Sequence, residues 1–231
     1  ALVAGTVAEQ VDHTVDGIAD KLRYFGHEYA VTPGEAERRG RSLFLADDAV
    51  LGLEIYRKSN SQFERVFLYV DSERLSSLNI SAEDLAMARR ETPVPLDAVA
   101  QSGVVLQNAS LAPDLALLRL STATADGSIV IVADLRPEWL LSAVSQSRIY
   151  RVFLVDRFGR VLAHPDAAQV IGHSDLAGLS VVKKALESNL VRGADEYMAG
   201  SEIRLAAFAR LSDRLGAVVV DVPRDEILTA T

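Results

Sequence analysis

The feature that most constrains this chain of 231 residues is an internal duplication, because a pattern written twice points to a fold built from two like units. Arg65-Val66-Phe67-Leu68-Tyr69-Val70-Asp71 returns as Arg151-Val152-Phe153-Leu154-Val155-Asp156. Gly127-Ser128-Ile129-Val130-Ile131-Val132-Ala133-Asp134-Leu135 returns as Gly216-Ala217-Val218-Val219-Val220-Asp221-Val222. The offsets agree (152 − 66 = 86 and 221 − 134 = 87). The reading divides the chain into a helical lead-in (1–49), a first module (50–135), a connector helix (136–148) and a second module (149–231).

The lead-in carries apolar or aromatic residues at Val3, Val7, Val11, Val15, Ile18, Leu22, Phe25 and Tyr29, a spacing of three and four that predicts one long amphipathic helix. Such a stripe needs a partner, and a second copy of the chain in a parallel homodimer is one candidate. Thr32-Pro33-Gly34-Glu35 has capping-box spacing with proline at the first helical position, and predicts a second helix to about Asp47.

Strands are predicted at Val50–Arg57, Glu64–Asp71, Val104–Asn108, Leu115–Thr122 and Ser128–Leu135, with a helix over Ala82–Arg90 capped by Ser81 and ended by Pro93 and Pro95. The second module is predicted as a hairpin, Ile149–Asp156 and Arg160–His164, turning at Gly159. A helix Val181–Glu187 capped by Ser180 follows, then strands at Asp195–Met198, Glu202–Leu211 and Ala217–Val222. The fold class is α/β (α+β): two mainly antiparallel sheets of about five strands with flanking helices.

A net charge of −8 and a pI near 5.1 exclude the basic footprint that nucleic acids require, and Arg38, Arg39 and Arg41 lie beside Glu35 and Glu37. With no cysteine there is no disulfide, thiolate metal site or thiol nucleophile. None of His13, His27, His164 and His173 is paired at helical metal-site spacing, and no nucleophile elbow, P-loop or dinucleotide fingerprint occurs. No catalytic residue, metal or cofactor is therefore predicted. His164 and His173, beside Asp166 and Asp175, are the best remaining metal pair. No run of about 18 apolar residues occurs. The chain begins at Ala1 and stops inside what reads as a helix, Ile227–Thr231, so both ends read as cuts in a longer protein.

A strand, the turn Asp156-Arg157-Phe158-Gly159-Arg160, a strand ending in Ala163-His164-Pro165-Asp166, then Ile171-Gly172 and Asp175-Leu176: this order resembles the membrane-proximal half of double Cache sensor domains. Asp126-Gly127-Ser128 through Asp134-Leu135, followed by Trp139, is similar to the end of their distal half. The resemblance covers nearly the whole chain. It implies an extracytoplasmic, non-enzymatic domain of a bacterial receptor, joined to the membrane by flanking helices. It also implies a small molecule bound in the distal module, and a helix displacement as output.

In amino-acid-sensing members an aspartate at the position of Asp134 holds the ligand's ammonium group. The arginine-x-tryptophan-tyrosine arrangement that holds the carboxylate is missing here, the sole tryptophan being Trp139. Asp134 can equally cap the connector helix. Arg119 is a charge within an apolar strand, costly to bury unless Asp134, Asp71 or a ligand's carboxylate pairs with it. Tyr56, Arg57 and Tyr69 are candidates to line the same cavity. In the second module His164, Tyr197, Arg204 and Asp221 are the polar residues on or near strands and rank below that set. The rival reading is a dimerisation or protein-docking scaffold without a ligand.

Overall fold

The computed structural model describes residues 1–45, 48–138, 140, 150–212 and 215–225, with backbone alone over 40–45. Trp139, Ile149, most of the predicted connector helix and the terminal helix Ile227–Thr231 lie outside the described residues. The chain divides into two compact units, Val15–Pro137 and Ala1–Thr14 with Glu138–Thr231.

Helix α1 (Leu2–Val31) forms as its stripe predicts, and α2 (Pro33–Leu45) starts at the expected proline. Thr32 does not close the capping box: its hydroxyl turns back toward the carbonyl of Glu28 (3.5 Å), while its own carbonyl accepts from Glu35 and Ala36. From Val11 to Tyr29 the stripe is buried within the chain itself, so it offers no free face to a second copy.

The first unit holds β1 (Val50–Ser59), β2 (Gln62–Val70), β3 (Val104–Asn108), β4 (Leu118–Ala123) and β5 (Ile129–Leu135) in the order β2-β1-β5-β4-β3, antiparallel throughout. Phe25 and Tyr29 of α1 meet Phe67 on one face, at 5.8 and 5.7 Å between rings. The other face is roofed by α3 (Ser72–Ser77), α4 (Ala82–Glu91) and α5 (Leu96–Ser102). Leu75, Leu85 and Ala88 pack on Leu51 and Leu117 there, and Val99 on Val105, Ala123, Val130 and Val132. Ser81 caps α4 as read, reciprocally with Asp84 at 3.0 and 2.9 Å. β4 begins three residues later than predicted, because Leu111 and Leu115 pair with each other and Ser110 accepts from the amide of Leu117.

The second unit holds β6 (Arg151–Asp156), β7 (Val161–Ala163), α6 (Ala167–Ile171), α7 (Ser180–Glu187), β8 (Arg192–Ala199), β9 (Glu202–Arg210) and β10 (Gly216–Pro223), with strand order β7-β6-β10-β9-β8. Gly159 sits at φ +86° in the hairpin turn, where Asp156 accepts from the amides of Phe158 and Arg160. α6 was not predicted; Asp166 caps it through the amide of Ala168 at 3.0 Å. Ser180 is the first residue of α7 rather than its cap, since the turn Leu176–Leu179 starts the helix one position earlier and leaves no side-chain cap.

The two sheets share one strand order, but the duplicated segments do not all occupy matching places. β5 and β10 are both central, in agreement with the second match. The first match pairs β2, an edge strand, with β6, whose counterpart is β1. Half of the apparent repeat is thus a shared strand pattern and not a shared position.

Candidate functional site

In the first unit a charged cluster lies on the face of the sheet beneath α4 and α5. Register places Arg119 of β4 directly beside Asp134 of β5, and Gly52 of β1 on the other side of Asp134. Arg119 donates from Nε to Asp134 Oδ1 at 2.8 Å, and both side chains are only 1% exposed. Arg89 of α4 donates from Nε to Oδ2 at 2.8 Å. It reaches down because Gly52 has no side chain: a Cβ there would stand 2.7 Å from Arg89 Nη2. That Nη2 lies 2.6 Å from Asp134 Oδ2, near enough for charge pairing though its N–H is not aligned for a hydrogen bond. Arg119 Nη1 donates to the carbonyl of Thr92, in the loop that follows α4.

Glu54, buried two residues from Gly52, completes the cluster. It accepts from Arg65 at 2.7 Å and from the Tyr56 hydroxyl at 3.1 Å. Arg65 reaches this face because a bulge between Ile55 and Tyr56 shifts the β1–β2 register and sets Arg65 opposite Tyr56. Burial and then the Glu54 carboxylate push the Tyr56 phenol above its ordinary range, and the bond to Glu54 raises the Arg65 guanidinium. Three guanidinium groups therefore meet two carboxylates; Arg65 is half exposed, and the buried charges, Arg89 and Arg119 against Glu54 and Asp134, balance.

Polar groups in this region remain without a partner. Among the described residues, Arg119 Nη2, Gln107 Oε1 and Ser121 Oγ are buried and make no hydrogen bond. Gln107 of β3 is the cross-strand neighbour of Arg119, and Ser121 follows Arg119 by two residues, so all three share one sheet face.

Of the residues singled out from the sequence, the structure brings Tyr56, Arg119 and Asp134 together. It pairs Arg119 with Asp134 rather than Asp71. Arg57 and Tyr69 belong to the opposite face: Arg57 is exposed, over the Tyr29 ring at 6.0 Å, and Tyr69 is the register partner of Leu53. Neighbouring strand residues such as Tyr56 and Arg57 cannot both face one cavity. Asp71 caps α3 by accepting from the amide of Arg74 at 2.9 Å. Glu54, Arg65 and Arg89 were not named from the sequence. A charge inside Val50-Leu51-Gly52-Leu53-Glu54-Ile55 carries the same signal that marked Arg119, whereas Arg89 looks like any arginine near the end of a helix.

The second unit has its own cluster around Asp221 of β10. Arg204 donates from Nε at 2.9 Å and Arg151 from Nη2 at 2.6 Å, and the Tyr197 hydroxyl also donates to Asp221. Burial and Asp221 push the Tyr197 phenol well up. His164 accepts on Nδ1 from the amide of Asp166 at 3.0 Å, and burial, then Arg151, lowers its pKa. Among the described residues, no three histidine, aspartate or glutamate side chains converge as metal ligands.

No protein-family model matches the chain, and no curated protein does. Solved structures do. The ligand-binding domain of the Pseudomonas aeruginosa PAO1 amino acid chemoreceptor PctB in complex with L-Arg is 15% identical, at a TM-score of 0.61, over 97% of this chain and 94% of that one. The extracellular domain of the putative histidine kinase rpHK1S-Z16 is 16% identical, at a TM-score of 0.66, over 99% and 94%. The ligand-binding domain of the Pseudomonas fluorescens chemoreceptor CtaA in complex with L-isoleucine is 16% identical, at a TM-score of 0.60, over 99% and 92%.

The chain has the fold of these sensor domains. The double Cache architecture expected from the sequence agrees with matches that run over almost the whole length of both chains. Two of the three are ligand-binding domains of chemoreceptors and the third is the extracellular domain of a putative histidine kinase.

A pocket of about 520 Å³ opens elsewhere in the first unit of this sensor fold, between Lys58, Asn60, Ser61, Asp97, Gln101 and Asp126. Its walls are hairpin tips and the exposed side of α5. Asp126 is committed there, accepting from the hydroxyls of Thr124 (2.6 Å) and Ser128 (2.8 Å) and from the Ser128 amide (3.1 Å). These bonds, the Thr124 hydroxyl first, hold its carboxyl down at about 2. The buried cluster is the better candidate, because its unmet hydrogen-bonding groups are shielded from water.

Proposed function

We propose that this chain is the extracytoplasmic ligand-sensing part of a bacterial transmembrane receptor of the chemoreceptor, histidine kinase or nucleotide cyclase type, and that it performs no chemistry itself. A small molecule binds in the first unit, the membrane-distal module of the sensor fold, between its sheet and the roof of α4 and α5. The observation that carries this reading is the set of buried, unpartnered groups on Arg119, Gln107 and Ser121 beside the Arg89–Asp134–Arg119 cluster. The amino-acid complexes of PctB and CtaA, proteins of the same fold, support it.

Output follows from linkage. A ligand shifts the protein between two states only by contacting them differently. The roof contributes Arg89 and the Thr92 carbonyl to the site, so a ligand that competes for Arg119 moves the roof, and α1 packs on the other face of the same sheet. In this reading flanking helices carry the chain to the membrane; no described helix is itself long and apolar enough to cross one. A parallel homodimer in this reading uses α1 residues other than the buried stripe, such as the exposed Tyr24.

One observation favours the rival scaffold reading: both carboxylates of the cluster are already satisfied by the chain's own arginines. A thermal-unfolding screen against organic acids, amino acids, amines, purines and divalent metals separates the two. A ligand of the folded state at about 100 times its Kd adds roughly 2.7 kcal/mol, and Arg119→Ala should abolish the shift. No shift with any class, for a fragment that unfolds cooperatively, favours the scaffold.

A further inference from the structure

The unmet groups of the first-unit cluster have a definite chemical complement. Arg119 Nη2 lacks an acceptor, Gln107 Oε1 lacks a donor, and the Ser121 hydroxyl can serve either way. Leaving such groups buried and unpaired is costly, and here all three lie on one sheet face. The complement of the set is one molecule carrying an acceptor and a donor a few ångströms apart.

The donor chemistry selects among such molecules. Arg65 is half exposed, and the buried charges of Arg89 and Arg119 balance Glu54 and Asp134. But Arg119 Nη2 is a guanidinium donor, and such donors bond more strongly to an anionic oxygen than to a neutral one, so the acceptor is anionic. The donor is a neutral hydroxyl and not an ammonium group. Asp134 gives one oxygen to Arg119 and the other to Arg89. Glu54 is likewise taken by Arg65 and Tyr56. An ammonium group would enter beside the buried guanidinium groups of Arg89 and Arg119 with no free carboxylate to meet it.

We infer that the distal site takes a small hydroxycarboxylate: the carboxylate on Arg119 Nη2, the hydroxyl against Gln107 Oε1 and Ser121 Oγ. This rests on the sensing reading above and deepens it to a ligand class.

The test compares thermal unfolding of the chain with lactate, glycolate and malate, with acetate and propionate, and with L-alanine and L-isoleucine. It uses the wild type, Ser121→Ala and Gln107→Leu. Both variants remove an unpaired buried group, so their unliganded Tm should equal or exceed that of the wild type. A saturating hydroxy acid should raise the wild-type Tm by about 5–10 °C. Acetate should give less, alanine and isoleucine nothing, and each variant should lose at least about tenfold in affinity for the hydroxy acid. A shift with the amino acids and none with the hydroxy acids overturns the ligand class and leaves sensing intact. Equal binding of the hydroxy acid by wild type and both variants overturns the site. If none of these acids or amino acids binds, and the broader screen of amines, purines and divalent metals gives no shift either, sensing fails as well and ordered water fills the three positions.

Discussion

Replacing Asp134 with alanine tests whether the cluster is held by charge in a dry place. The Arg119–Asp134 pair is 1% exposed on each side, and Arg89 is 11% exposed. Removing one partner of a buried ion pair costs roughly 3–5 kcal/mol, because the remaining charge is left uncompensated. Asp134→Ala strands two guanidinium groups, so the upper half of that range applies. For a chain of this size 1 kcal/mol moves Tm by about 2–4 °C, which predicts a fall of about 8–20 °C. Calorimetry of the wild type, Asp134→Ala and the triple variant Asp134→Ala/Arg89→Met/Arg119→Met measures it. The triple variant should regain most of the loss, since apolar replacements of a buried ionic group are often neutral or stabilising. A loss below about 1 kcal/mol in the single variant would falsify the dry, charge-locked cluster. In that case the arginines reach water when their partner goes.

Three other outcomes follow from the geometry. Gly52→Ala should cost about 1–3 kcal/mol by crowding Arg89, and should cost less in an Arg89→Ala background, as a double-mutant cycle in urea would show. His164 has a folded pKa below its unfolded value near 6.5, so the unfolded state binds the extra proton and stability falls as pH drops below about 6.5. His164→Asn, which keeps an acceptor for the Asp166 amide, should flatten that part of the stability profile. Asp126 has its carboxyl lowered to about 2 from an unfolded value near 3.8, so its contribution is present above pH 4 and is lost as pH falls from about 4 to 2. Asp126→Asn should remove that acid dependence, while leaving the profile above pH 4 unchanged in shape.

The strands were legible because their signal is local. The apolar run marked Val104–Asn108 to the residue, and the Ser81 cap with Pro93 and Pro95 marked α4 within one residue. What failed was what depends on pairing. The repeat Arg65–Asp71 with Arg151–Asp156 has one composition and two different places in the sheets, since an edge and an inner strand can share a pattern while their neighbours differ. The face of Arg65 depends on a bulge that shows in the register and not in the residues. Arg119 was legible as a charge that needed a carboxylate. Arg89 was not, because only the fold brings the end of α4 over the gap at Gly52. Arg57 and Tyr69 were grouped with Tyr56 by residue type, and alternation about the bulged strand places them on the other face.

The two units also bear on which module senses. Asp134 and Asp221 hold the same place on matching strands, and each is met by two arginines, so the ion pairs alone do not distinguish a binding site from a structural device. Their surroundings do. Asp221 takes a third donor, the Tyr197 hydroxyl, and Arg151 donates to that same phenol oxygen at 2.8 Å, which closes the cluster on itself. Among the described residues, the buried unpaired side-chain atoms all lie in the first unit, on Arg89, Gln107, Arg119 and Ser121. A network that satisfies its own members has nothing to offer a ligand, whereas one that leaves donors and acceptors unpaired on one sheet face gains by binding one. Tyr197→Phe should therefore lower stability by about 1 kcal/mol and leave any ligand response unchanged, while Ser121→Ala should do the reverse. A ligand response that is lost in Tyr197→Phe and kept in Ser121→Ala would move the sensing site to the second unit.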